Sequence, residues 1–133
     1  MTKSPFEHEH NNEFYRLLDA VLKEPEKVPA IVSESRSILE EANFSGETVL
    51  HWLSVESHTD GIALLHSLGA KISEFALIHA MEHGHTETVI LLLELGADPR
   101  GIDVERGLNS DVWELTKKRK RLIRSYFAQF SDT

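Results

Sequence analysis

The sequence predicts an all-α fold, a helical repeat solenoid of about eight short helices. Three observations carry that prediction. Residues 48–70 (TVLHWLSVESHTDGIALLHSLGA) and 75–97 (FALIHAMEHGHTETVILLLELGA) align without a gap at an offset of 27, and self-similarity at a fixed period marks a repeat architecture. Within each copy the apolar positions recur at helical spacing in two short blocks, which reads as helix, tight turn, helix. Each copy then closes on Gly-Ala, at Gly69-Ala70 and Gly96-Ala97, where a left-handed residue can satisfy the last carbonyls of the second helix.

The elements follow in chain order. Residues 1–11 show no helical apolar pattern and are expected to form a disordered tail ahead of a single domain over 12–130. Extending the repeat upstream by 33 residues brings Leu17, Ala20, Pro29, Ile31 and Val32 into register, which predicts helices over 12–23 and 26–34. Pro25 and Pro29 lie at the start of the second of these, where a missing amide costs least. From Ser35 to Thr48 there is room for a hairpin finger, and Asn43-x-x-Gly46 is turn chemistry for it. Thr48 stands where an N-cap hydroxyl would accept an amide of a helix over 49–57, and a second helix follows over 59–68. Only five residues separate Gly69 from Phe75, so the middle finger is truncated. Helices are expected over 75–83 and 86–95, then room for another full finger from Gly96 to Ser110. The stretch 110–127 (SDVWELTKKRKRLIRSYF) should supply the last pair, over 111–118 and 120–130, with Trp113 in the core. Leu50 superposes on Leu77, Ile62 on Val89, and Leu65 on Leu92, so these positions should form the core shared between units.

Gly46-x-Thr48-x-Leu50-His51, Gly84-His85-x-Glu87 and Leu91-Leu92-Leu93-x-x-Gly96-Ala97-Asp98 resemble ankyrin repeats. The resemblance runs from about 12 to 130. The two central units match well, the first matches in pattern only, and the last is degenerate, as outermost units facing water on one side are expected to be. It implies a fold of about four ankyrin-like units, a non-enzymatic protein–protein interaction module, and no cofactor. Fingers and first helices would line a concave face that grips partners, and the truncated finger would leave a notch in it. His58 and His85 fall where this family often has histidine, and His51 belongs to its Thr-x-Leu-His motif, so all three are expected to serve structure.

Composition excludes several other classes. Cysteine is absent, which removes disulfides, cysteine nucleophiles and thiolate zinc sites. The longest apolar run, Val89 to Leu93, is five residues, far short of a membrane span. The first residues lack an apolar stretch of signal-peptide type, so a cytoplasmic protein is expected. The 22 acidic residues against 14 basic ones, a net charge of −8, argue against nucleic acid as the main partner. That charge is uneven. Residues 1–116 hold 21 acidic and 8 basic side chains, whereas 117–133 hold one acidic and six basic.

Four further patterns have plainer readings beside the functional one. His79-Ala80-Met81-Glu82-His83 matches the H-x-x-E-H metalloprotease pattern, but repeat register already explains the segment and no third ligand presents itself. Eight histidines could serve a pH switch, but solvated or structural roles are the plainer reading. Lys117-Lys118-Arg119-Lys120-Arg121 resembles a nuclear localisation signal; a solvated cap helix at the end of an acidic array is the plainer reading. Trp52 sits at a variable position and serves either groove lining or packing between repeats.

The resemblance and the charge together set the expected function. The positions it assigns to partner contact are Phe44, Ser45 and Glu47 on the first finger, then Trp52, Val55 and Glu56, then His79, Glu82 and His83. Two aromatics among three carboxylates suit an anchor ringed by charge that faces a basic protein. A monomer acting as an inhibitor or immunity protein fits this pattern. A general intracellular or nuclear adaptor using the basic end is the alternative, and a histidine-based metalloenzyme is a third class.

Overall fold

A computed structural model describes residues 12–109 and 116–131. The described chain forms eight α-helices: α1 (Asn12–Lys23), α2 (Val28–Glu34), α3 (Val49–Val55), α4 (Thr59–Ser67), α5 (Glu74–Glu82), α6 (Thr86–Glu94), α7 (Val104–Leu108) and α8 (Lys117–Ser131). Short 3₁₀ turns at Pro25–Lys27 and Arg36–Glu40 flank α2. The expected second helix over 26–34 is thus split, with Pro25 opening the 3₁₀ turn and Pro29 sitting in the first turn of α2.

The helices lie in two rows. First helices α1, α3, α5 and α7 pack in sequence, while second helices α4, α6 and α8 pack behind them. One continuous apolar core joins the rows from Phe14 to Phe127. Its layers follow the repeat: Leu17, Leu50 and Leu77 are buried in successive first helices, and Val32, Leu65 and Leu92 in successive second helices. Upstream the 33-residue register holds for Leu17, Ala20 and Val32, which are buried, but not for Pro29, which is exposed in the first turn of α2.

Local side-chain chemistry starts α3, α4, α5, α7 and α8. Thr48 accepts from the His51 amide (3.3 Å), Ser73 from Ala76 (3.2 Å), Asp103 from Arg106 (3.1 Å) and Thr116 from Arg119 (3.1 Å). His58 does the same with its ring, Nδ1 accepting from the Gly61 amide at 3.0 Å. These bonds satisfy amides that would otherwise lack a helical partner. Gly69 and Gly96 close α4 and α6 with φ of 107° and 108°, the left-handed turn that the sequence requires of them.

The last unit departs from expectation. Residues 117–131 form one uninterrupted helix rather than the end of one helix and the whole of another, because no glycine or proline breaks a run rich in good helix formers. The first helix of that unit is α7, in the span expected to hold a finger. Asp103 caps it, and Leu108 buries its apolar side. Gly107 lies so close to Met81 that a Cβ there would collide with its side chain. Trp113, expected in the core, lies outside the described residues, as do 1–11.

Candidate partner-binding site

The first finger is a tight hairpin. An antiparallel bridge joins Ala42 to Thr48, and Asn43 organises the tip from within. Its Oδ1 accepts from the amides of Ser45 (3.0 Å) and Glu47 (2.9 Å), while its Nδ2 donates to Glu47 Oε1 (3.1 Å). Gly46 turns the chain with a φ of 80°. The finger therefore presents Phe44, 74% exposed, at its tip, and holds the Glu47 carboxylate in one orientation.

The connection after α4 is short, as the sequence indicates. Lys71, Ile72 and Ser73 lead directly from Ala70 into α5, and the space a full finger would fill is open. It forms a cavity of about 810 Å³. The first finger lines one side with Ser45 and Glu47, the short connection lines the other, and His51, Phe75 and His79 project from α3 and α5. Phe75 is 56% exposed beside it.

Two histidines from successive repeats meet in its lining. His51 Nε2 and His79 Nδ1 are 2.8 Å apart, with ring centroids at 5.0 Å. Glu47 Oε2 stands 3.9 Å from the same His51 nitrogen. Burial pushes the His51 ring below its ordinary protonation range, Glu47 pulls the other way, and the neighbouring His79 adds to the lowering. His51, expected to serve structure, therefore bonds a side chain of the next unit.

The expected contact residues divide between places. Ser45, Glu47 and His79 share the first cavity, and Phe44 adjoins it on the finger tip. Glu82 lines a second cavity, of about 520 Å³, with Ile102 and Arg106. Trp52 is half-buried against the core and lines neither, so the notch opens beside His51 and His79. Val55 is half-buried, and its carbonyl bonds His85 Nε2 at 2.8 Å. Glu56 is exposed on the far turn of α3. His83 stacks on His85, with centroids 5.7 Å apart. Lys71, Ile72 and Phe75 were not anticipated as lining. Their signal was the short connection itself.

His79 and His83, the paired histidines of the H-x-x-E-H pattern, thus engage different neighbours. Among the described residues no group of three or more His, Asp or Glu side chains is placed to hold a metal ion. On the basic helix, Arg119 bonds Glu87 at 3.2 Å, and Arg124 grips Glu105 with two bonds of 2.6 and 2.9 Å. The Glu105 carboxyl is held below its ordinary range chiefly by that Arg124 bond.

The ankyrin-repeat family model matches residues 45–103, the segment that contains the second half of the finger, both cavities' α5 wall and the two well-matched repeats. Residues 45–103 are an ankyrin-repeat segment. Ankyrin repeats generally mediate protein–protein interaction and are typically non-enzymatic. No curated protein matches the chain, and no solved structure does. Among the described residues no helix is long and apolar enough to cross a membrane.

Proposed function

We propose that residues 12–130 act as one cytoplasmic, monomeric binding module that holds a basic protein partner on the face carrying the first finger, the exposed end of α3 and α5. The observation that carries this reading is the finger itself. Phe44 is 74% exposed at the end of a hairpin stiffened by Asn43, and an exposed aromatic on a rigid support is the usual form of a binding anchor. Charge supports the basic partner, since residues 1–116 carry a net −13, which steers cationic surfaces and repels acidic ones. An inhibitor or immunity protein that masks a basic enzyme is the role this arrangement suits. The adaptor alternative draws on the basic end, but Arg119 and Arg124 there already bond carboxylates of α6 and α7.

The test is capture on the immobilised full chain from its source cells, followed by kinetics with the protein retained. Phe44→Ala should weaken binding by about 2 kcal/mol, mainly through faster dissociation. Glu56→Lys with Glu82→Lys should slow association and flatten its salt dependence. Charge reversal at Lys117, Lys118 and Lys120 should change little. Loss of binding on that reversal, with Phe44→Ala and Trp52→Ala silent, would transfer the function to the basic end.

A further inference from the structure

The cavity at the truncated finger contains a carboxylate in an unusual situation. Glu47 has a side chain only 22% exposed, yet the charge partner it faces is the His51 ring, 3.9 Å away, and burial disfavours a positive charge on that ring. Lys71, on the rim of the same cavity, pairs with Glu40 at 3.5 Å. One oxygen of Glu47 is fixed by Asn43 Nδ2 at 3.1 Å, so the carboxylate is oriented before any ligand arrives, and the entropy of orienting it is already spent. Phe75, 56% exposed, lines the same space and offers an aromatic face of the kind that attracts cations. A half-buried carboxylate without a strong counter-ion, an aromatic wall and an open volume are together the features of a pocket for an alkyl cation.

We infer that the notch between the first finger and the 71–75 connection receives an arginine or lysine side chain from a protruding segment of the partner, with Glu47 as its counter-ion and Phe75 as its aromatic wall. This rests on the reading of that face as the partner surface and names what the face selects. The His51–His79 bond holds the two repeats together across the gap left by the missing finger. Its geometry keeps the floor of the notch in place. A full second finger would fill the volume, so the truncation is what makes the pocket.

The experiment is a titration of the ¹⁵N-labelled full chain with N-acetyl-arginine amide and N-acetyl-lysine amide, with N-acetyl-citrulline amide as the neutral isostere. The expected result is a set of shifts at Ser45, Gly46 and Lys71 to Phe75 with the cationic amides alone. Glu47→Gln, which keeps the acceptor for Asn43 and hence the finger, should weaken them about tenfold. Phe75→Ala, at an exposed position, should weaken them less, and an unchanged amide spectrum elsewhere checks the fold. Equal shifts with the citrulline amide, or undiminished binding to Glu47→Gln, would overturn the assignment. Retention of the captured protein partner by Glu47→Gln at wild-type strength, with Phe44→Ala defective, would reject the notch and leave the partner face standing. Glu47-dependent binding of the arginine amide, with partner capture indifferent to Phe44→Ala, would do the reverse.

Discussion

Ser57 takes, with a φ of 59°, the left-handed backbone conformation that Gly84 takes one repeat later at 72°. Both residues make the turn between the two helices of their unit. Ser57 is the lone non-glycine with positive φ among the described residues, and that conformation costs a residue with a Cβ roughly 1 kcal/mol or more. The hydroxyl compensates. Its Oγ lies 2.8 Å from Thr88 Oγ1, and Thr88 is fully buried in α6.

These opposing effects make a prediction for the pair. Ser57→Gly alone relieves the strain but leaves a buried hydroxyl without its partner, so stability in urea should change by less than about 0.5 kcal/mol. Ser57→Gly with Thr88→Val removes both polar groups, and should stabilise by about 1 kcal/mol. An equal gain from the single and double variants would show that the hydroxyl bond contributes nothing.

Leu92 tests the register. It is fully buried in α6, in line with Leu65 of α4 and Val32 of α2. Leu92→Ala should cost about 2–5 kcal/mol, the range for cavities left in packed cores. In a short array whose units are stable only against their neighbours, that is a large share of the total. Urea unfolding measures it directly, and a loss under about 1 kcal/mol would contradict the core described here.

The His51 ring gives a pH dependence with a definite sign. Burial lowers its folded-state pKa below the ordinary 6.5, so the folded protein binds this proton less readily than the unfolded chain does. The associated stability is complete above about pH 6.5 and is lost as the pH falls through the lower, folded value. Glu47 moderates the effect and His79 reinforces it; Glu40 and Lys71 stand further off around the same cavity. Melting temperature should therefore drop on acidification from pH 7 to 5. His51→Gln should flatten that part of the profile, and an identical profile in the variant would place the acid sensitivity in other groups.

The apolar period was enough to determine the repeat, the buried leucines and the helix pairs from α3 to α6. Periodicity and capping are local rules, and every residue they need lies within a turn or two of the one concerned. The finger tip was readable for the same reason, since Asn43 and Gly46 form it by bonding to their immediate neighbours. The last unit was not. Asp103 could have signalled a helix start, but five residues carry too little period to outweigh the 110–127 pattern. The meeting of His51 with His79 was decided by tertiary structure alone. They are 28 residues apart, one beyond the repeat offset, so a position-by-position alignment pairs His79 with Trp52. Packing between helices α3 and α5, rather than spacing along the chain, brings the two rings together at the notch.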